Sequence, residues 1–407
     1  PYNEYFITVN PEADLSAVVR PRDLPLLTPF QTPRGEAYLW TTFSTDQIDL
    51  NFSNPEVFLE ILDLLLFYIK QGARIIRLDA IAFLWKESGS SCVHLPQTHE
   101  LIKLMRIVIE NLEPSAVIIT ETNVPNRENL SYFGNDNEAH LIYNFSLPPL
   151  LLYSILSGDC RHLKTWMMSM PPARRGRAYL NFIASHDGIG LRPAEGLLQA
   201  TELDGLIENI TDCGGEISMR RTPEGDLKPY EANISLYSAM AKPIGADAPD
   251  EWQKARFICA HAIMLALEGM PAFYVHSLLG TENYSQGVAD TGRARTINRY
   301  QWDAEDLEAA LADESRHHGE VFAEIKRLIA IRRKQVAFHP NATQYTMHFN
   351  DQIFAFWRES LDRSQSIFAL PNVSSEAQRI PLVELNMIAT DSWCDLITGK
   401  RYDDLNM

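Results

Sequence analysis

The sequence predicts an α/β fold: a parallel sheet assembled from strand–helix units, with a small antiparallel β domain appended. Three observations carry that expectation. Helical apolar spacing alternates with short, β-branched apolar runs along most of the chain, which is the pattern of βα units. Those runs have the length of buried strands rather than helices. After Pro340 the pattern changes to QYTMHF, QIFAFWR and SIFALPNV, three short strands separated by turns.

The elements follow in order. Residues 1–46 read as irregular, with prolines at 11, 21, 25, 29 and 33. Asn54-Pro55 opens a helix, and NPEVFLEILDLLLFYIKQG keeps helical spacing until Gly72. ARIIRLDA (73–80) is a strand, a helix follows near 97–113, and AVIITETN (116–123) is a second strand. HLIYNF (140–145) is a third strand, a helical stretch runs from about Pro148 to Ser157, and RAYLNFIASHD (177–187) is a fourth strand. Residues 191–245 read as polar and irregular, with Gly214-Gly215 inside them. A helix at 250–268, a fifth strand MPAFYVHS (270–277) and a helix at about 316–335 complete the α/β part. The apolar stretches Leu62–Ile69 and Phe257–Leu267 read as buried helices, and His317-His318 as a solvated helix surface.

Composition narrows the function classes. The chain has 407 residues, 45% hydrophobic and 22% charged, as soluble globular proteins do. A net charge of −17 without a basic run argues against nucleic acid as a partner. No apolar run reaches the length of a membrane span. The five cysteines are scattered and form no CxxC pattern, which fits a reducing compartment and a cytoplasmic setting. No strand is followed by a glycine-rich phosphate loop, so a nucleotide-binding enzyme is a poor reading. His94 and His99 lack a third ligand at suitable spacing, so no metal site is expected.

Charges inside the strands point to chemistry. Residues two apart in a strand share a face, so Ile75, Arg77 and Asp79 point the same way, as do Ile119 and Glu121. In a β/α barrel the C-terminal strand ends face the active site, and Asp79, Glu121 and the pair His186-Asp187 all fall there. An ion pair would account for Arg77 and Asp79 alone, and a helix cap for Glu121 alone. Three acids in one topological place are costly to gather without a function. Two carboxylates flanking a sugar carbon can cleave a glycosidic bond, one attacking the anomeric carbon and the other protonating the leaving oxygen. A third can stabilise the positive charge that develops, and Arg77 would favour the ionised form of the attacking group.

With these motifs the sequence resembles the α-amylase superfamily of glycoside hydrolases, and within it the sucrose phosphorylase-like branch. The residues that carry the resemblance are RLDA (77–80), TETN (120–123), SHDGIG (185–190), WTTFSTDQIDLN (40–51), KESGSSC (86–92) and RTINR (295–299). The resemblance implies a (β/α)8 TIM barrel with loop insertions and a C-terminal antiparallel β domain. It implies Asp79 as nucleophile, Glu121 as acid/base and Asp187 as transition-state stabiliser, with Arg77, His186 and Arg295 at the glucosyl group and Phe43 and Gln47 lining the site. Arg22 and Tyr230 match the arginine and tyrosine of mobile loops, which would hold phosphate. Three positions depart from sucrose phosphorylase: Asn123 replaces histidine, Glu231 glutamine and Phe83 tyrosine, all near the acceptor side. RPRDLPLLTPF, ETNVPNRENLSYFG and PYEANISL look most like glucosylglycerate phosphorylases.

The resemblance also sets an expected organisation. Residues 1–52 would be an insertion after barrel strand 3, 53–190 would hold strands 4–7, and 191–245 a second insertion with the acceptor and phosphate loop. Residues 246–337 would hold strand 8 and the last helices, and 338–407 the β domain. The first three barrel strands are not found in the sequence, so a longer enzyme supplying them is expected. The expected activity is reversible phosphorolysis of an α-glucoside, 2-O-α-glucosylglycerate first, to α-D-glucose 1-phosphate, with inorganic phosphate and the glucoside as partners and no cofactor. Sucrose, sucrose 6-phosphate and glucosylglycerol remain open as substrates, as do an α-glucosidase, a transglucosylase and a non-catalytic scaffold.

Overall fold

The structure, a computed structural model, describes residues 4–21, 24–222, 226–381, 384–385 and 392–402. The chain divides into two compact units. Unit 1 takes in the chain as far as Phe145, with Leu191–Pro193 and Ser218–Glu231; unit 2 takes Ser146–Gly190, Ala194–Ile217 and the chain from Ala232 onward.

Unit 1 opens with a hairpin, β1 (Leu27–Thr32) and β2 (Gly35–Trp40), in antiparallel register from Leu27↔Trp40 to Thr32↔Gly35. One apolar cluster in it is Val18, Leu26, Trp40 and Cys92, with Ile7, Val9, Leu15 and Leu27 against it. Helix α1 (Pro55–Lys70) starts where expected, because the Asn54 side chain accepts from the Glu56 N–H and Pro55 needs no donor of its own. Gly72, at φ 102°, lets the chain leave the helix in a conformation that a β-carbon would strain. The helix buries Val57, Leu62 and Ile69, whereas Leu59, Leu64, Phe67 and Tyr68 are exposed. The expectation of a buried helix therefore holds for one side only, since LEILDLLLFYI spreads apolar groups around more of the cylinder than one face.

Strand β3 (Ile75–Leu78), helix α2 (Pro96–Leu112), strand β4 (Val117–Thr120), helix α3 (Asn126–Leu130) and strand β5 (Leu141–Tyr143) follow. The three strands are parallel, with Ile75↔Val117 to Leu78↔Thr120 between the first two and Ile119↔Leu141 and Thr120↔Ile142 between the next. Helix α2 buries Thr98, Ile102, Met105, Arg106 and Ile109, the three-and-four spacing that made it legible.

Unit 2 continues with α4 (Leu147–Ser157), α5 (Arg161–Ser169), β6 (Ala178–Asn181), β7 (Ile189–Gly190) and α6 (Ala200–Asp212). Strands β8 (Glu216–Arg221) and β9 (Leu227–Asn233) run on from it and lend Ser218–Glu231 to unit 1. Then come α7 (Leu236–Ala239), α8 (Gln253–Ala266), β10 (Met270–Pro271), α9 (Val275–Leu279), α10 (Ser285–Thr291), α11 (Ala304–Ala312) and α12 (His317–Arg333). β10 pairs in parallel with β6, Met270 beside Leu180 and Pro271 beside Asn181. Gly269 makes that approach possible, because a β-carbon there would sit 2.5 Å from the Tyr179 carbonyl oxygen. β11 (Thr343–Thr346), β12 (Phe356–Glu359) and β13 (Ser366–Ala369) form the expected antiparallel sheet, and β14 (Trp393–Cys394) pairs with β15 (Arg401–Tyr402).

Four expectations change. Residues 191–245 are not irregular: α6 is fixed by a capping box between Gln199 and Glu202 and buries Leu206 and Ile210, and two strands follow. The expected strand 270–277 stops at Pro271, with one further bond from the Ala272 N–H to the Asn181 carbonyl at 2.7 Å, and Val275–Leu279 turns helical. The expected strand 177–187 ends at Asn181. His317-His318 is not solvated. His318 is 3% exposed with Nδ1 2.6 Å from the Leu279 carbonyl, and His317 Nε2 is 2.7 Å from that of Gly280. The two imidazoles satisfy carbonyls at the end of α9 that no helical N–H can reach. Among the described residues no helix is long and apolar enough to cross a membrane.

Candidate active site

The parallel register of β3 and β4 builds the first cluster, wholly within unit 1. Leu78 lies beside Thr120, so the next residues, Asp79 and Glu121, leave adjacent strands side by side, and the Glu121 N–H donates to the Leu78 carbonyl at 3.0 Å. Arg77 reaches both acids. Its Nη1 donates to Asp79 Oδ1 at 2.5 Å, and its Nη2 lies 3.9 Å from Glu121 Oε2. Its Nε donates to the Tyr143 hydroxyl at 3.1 Å. The Ala80 N–H donates to Glu121 Oε2 at 2.8 Å, with Ala80 held in the left-handed region at φ 48°. Such a conformation costs a residue with a β-carbon about 1 kcal/mol or more, and it aims the N–H at the carboxylate.

Exposure separates the two acids. The Asp79 side chain is 72% exposed, open to a substrate, while that of Glu121 is 12% exposed. Burial pulls the Arg77 guanidinium down, but Glu121, Tyr143 and Asp79 outweigh it and its pKa stands above the ordinary value. Arg77 is thus a fixed cation. The Tyr143 phenol is pushed up, by burial first, with Arg77 opposing.

The TTFSTDQ and KESG motifs meet beside one another in unit 1. Lys86 Nζ pairs with Asp49 Oδ2 at 2.8 Å, and Asp49 accepts from the Thr42 N–H at 3.1 Å and the Thr42 hydroxyl at 2.5 Å. That buried ion pair carries Phe43 and Phe83 into edge-to-face contact at 5.4 Å. Gln47 is exposed, its Oε1 accepting from the Ser44 hydroxyl at 3.0 Å. Asn123, two residues after Glu121, has a buried Oδ1 with no hydrogen-bond partner among the described residues.

The second cluster lies within unit 2. Asp187 Oδ1 accepts from Arg295 Nη1 and, at 3.3 Å, from Arg299 Nη2. Arg299 Nε also donates to the His186 carbonyl at 2.7 Å, and Asn298 Nδ2 donates to the Asp187 carbonyl at 2.8 Å. His186 Nε2 is 3.7 Å from the same carboxylate oxygen. Arg299, Asn298 and Tyr143 are contacts that sequence reasoning missed. Arg299 was in view as the last residue of RTINR, and its contact to Asp187 depends on a turn of Ala294–Asn298 that no local pattern announces.

Tyr230 and Glu231 lie in β9, at 6% and 1% exposure, rather than in a loop. From Tyr230 to Asn233 the strand is buried on both faces, so no two-residue alternation marks these positions in KPYEANI. Arg22 lies outside the described residues. His94 and His99 serve structure: His94 Nδ1 is 2.8 Å from the Tyr132 hydroxyl, and His99 Nδ1 is 2.7 Å from Glu138 Oε2. Among the described residues no group of three or more His, Cys, Asp or Glu is placed to hold a metal ion.

Residues 3–188 match the alpha-amylase catalytic domain family. A glucosylglycerate phosphorylase of Spirochaeta thermophila is 47% identical over 92% of this chain and 63% of its own length. One from Allomeiothermus silvanus is 42% identical over 96% of this chain and 70% of its own length. The chain thus spans 63 to 70% of these two curated relatives. Among solved structures, the sucrose 6F-phosphate phosphorylase of Thermoanaerobacter thermosaccharolyticum superposes with a TM-score of 0.75 at 22% identity, covering 90% of this chain and 73% of that one. That likeness shows the fold, a parallel β/α architecture with a C-terminal β domain.

Proposed function

Since this chain belongs to the α-amylase family, we propose that it carries the catalytic residues of a retaining α-glucoside phosphorylase. The observation that carries the chemistry is one guanidinium, Arg77, bonded to Asp79 and facing Glu121 across two adjacent parallel strands. Asp79 attacks the anomeric carbon, and Glu121 gives its proton to the departing oxygen, leaving a β-glucosyl ester on Asp79. Phosphate then attacks the same carbon and breaks the ester, so two inversions return the α configuration in glucose 1-phosphate. Arg77 balances the charge of Asp79 before attack and as it is regenerated. Asp187, held by Arg295 and Arg299, is the third acid, which binds sugar hydroxyls most strongly as positive charge develops. His186 and Arg295 belong to the glucosyl group, Phe43 and Gln47 line the site, and Phe83, Asn123 and Glu231 belong to the acceptor side. The buried Oδ1 of Asn123, two residues after the acid, has no hydrogen-bond partner among the described residues and suits a hydroxyl of the leaving group. Arg22 and Tyr230 are assigned to phosphate by their sequence motifs.

For the acceptor, D-glycerate is the proposal, supported by identities of 47% and 42% to two glucosylglycerate phosphorylases. The test runs the reaction in reverse with α-glucose 1-phosphate and D-glycerate, glycerol, fructose or fructose 6-phosphate, with released phosphate as the readout and Asp79→Ala as the blank. Release with glycerate alone is expected. Release only with another acceptor keeps the mechanism and changes the substrate. Glucose production from α-glucosides in water, without phosphate release, leaves a hydrolase and defeats the phosphorylase reading.

A further inference from the structure

We propose that Tyr143 is a positioning residue for the glucosyl-transfer step: it sets the plane of the Arg77 guanidinium so that one edge faces Asp79 and the other Glu121. This inference rests on the reading of Asp79 as the attacking carboxylate. An arginine fork holds direction only when its own plane is fixed, and a long flexible stem does not fix it. Here Nε donates to the Tyr143 hydroxyl at 3.1 Å while Nη1 donates to Asp79 at 2.5 Å, so two bonds on one rigid plane leave Nη2 directed at Glu121, 3.9 Å away. The guanidinium carbon also lies 5.5 Å from the Tyr143 ring centre. Tyr143 is itself held: its ring stacks on Phe145 at 5.5 Å, and its carbonyl accepts from Asn129 Nδ2 at 2.7 Å. Asn129 Oδ1 accepts the Thr122 hydroxyl at 2.7 Å, and Thr122 directly follows Glu121. Asn129 and Thr122 are 3% and 1% exposed. A buried side-chain brace therefore ties the end of β5 to the segment carrying Glu121, and the tyrosine hydroxyl sets the arginine between the two acids.

The geometry makes a specific demand. The Nη1–Asp79 contact is the short one and the Glu121 contact the long one, so a loosened guanidinium is felt first by the attacking carboxylate. The test compares Tyr143→Phe with wild type on two donors: the natural glucoside and α-glucosyl fluoride, whose leaving group needs no proton. Phe keeps the ring and its stack and removes only the acceptor oxygen. The expected result is a fall in kcat of about 10- to 100-fold on both donors, the range set by a hydrogen bond to a charged group, with KM and the thermal midpoint little changed. In an Arg77→Lys background, which has no Nε–H to donate to the Tyr143 hydroxyl, adding Tyr143→Phe is expected to cost nothing further. A Tyr143→Phe enzyme as fast as wild type overturns the inference. So does a loss that multiplies with that of Arg77→Lys, because Tyr143 would then act through something other than the arginine. A wild-type chain unable to release fluoride from the activated donor defeats the functional reading instead, and the inference with it.

Discussion

Replacing Glu121 by Gln separates the two carboxylates by what each must do. In the fold, Glu121 Oε2 accepts the Ala80 N–H at 2.8 Å, and the side chain is 12% exposed. A glutamine oxygen accepts the same bond, so Ala80 keeps its partner and the β4 end its shape. The amide has no proton to give. A positioned general acid is worth about 10²- to 10⁴-fold, or about 2.7–5.4 kcal/mol at 1.36 kcal/mol per decade. That loss belongs only to donors whose leaving oxygen must be protonated. Initial rates with saturating phosphate should therefore fall by that factor on the natural glucoside, yet stay within about tenfold of wild type on α-glucosyl fluoride. Phosphate brings its own negative oxygen to the second step and needs no base. Equal losses on both donors would refute the assignment, because Glu121 would then be needed for something other than the proton. An unchanged rate on the natural donor would refute it as well.

Arg299→Lys should lower kcat/KM about tenfold or more, since a single ammonium cannot replace a fork that donates to both the His186 carbonyl and Asp187; steady-state kinetics beside an unchanged melting curve checks it. Arg358→Met should destabilise the chain by about 3 kcal/mol or more in urea titration, because the carbonyls of Ala266, His339 and Ala342 lose a fully buried donor. Burial holds His261 at about 4 against an ordinary 6.5, so the unfolded chain takes up its proton first as pH falls. The stability this contributes is complete above pH 6.5 and drains towards pH 4, about 2 kcal/mol being gone by pH 5. His261→Asn should shrink the difference between the unfolding free energies from urea titration at pH 7 and pH 5 by that amount, and an unchanged difference would count against a neutral buried imidazole.

The parallel core and the acid pair could be read from the chain because their signals are local. Arg77 and Asp79 share a strand face by the two-residue period, and apolar runs of similar length placed Asp79 and Glu121 at equivalent strand ends. What escaped depends on register and on contacts distant in sequence. LIY reads as any buried strand, and nothing in it says that the Tyr143 hydroxyl meets an arginine 66 residues earlier. Helix α6 did carry a signal, Leu206 and Ile210 at helical spacing behind Gln199 and Glu202, but Gly214-Gly215 and the surrounding polar residues outweighed it. His317 and His318 looked exposed because imidazoles near a helix start usually are. Here the carbonyls of Leu279 and Gly280, far away in sequence, take them in.

Glucosylation of Asp79 is open to a direct experiment, trapping of the ester. Glu121→Gln is mixed with α-glucosyl fluoride in the absence of phosphate, quenched in acid, digested and mapped by mass spectrometry. One added glucosyl residue is expected on the peptide holding Asp79, discharged as α-glucose 1-phosphate when phosphate is added before the quench. Fluoride release with no adduct, or an adduct on a peptide lacking Asp79, would contradict it.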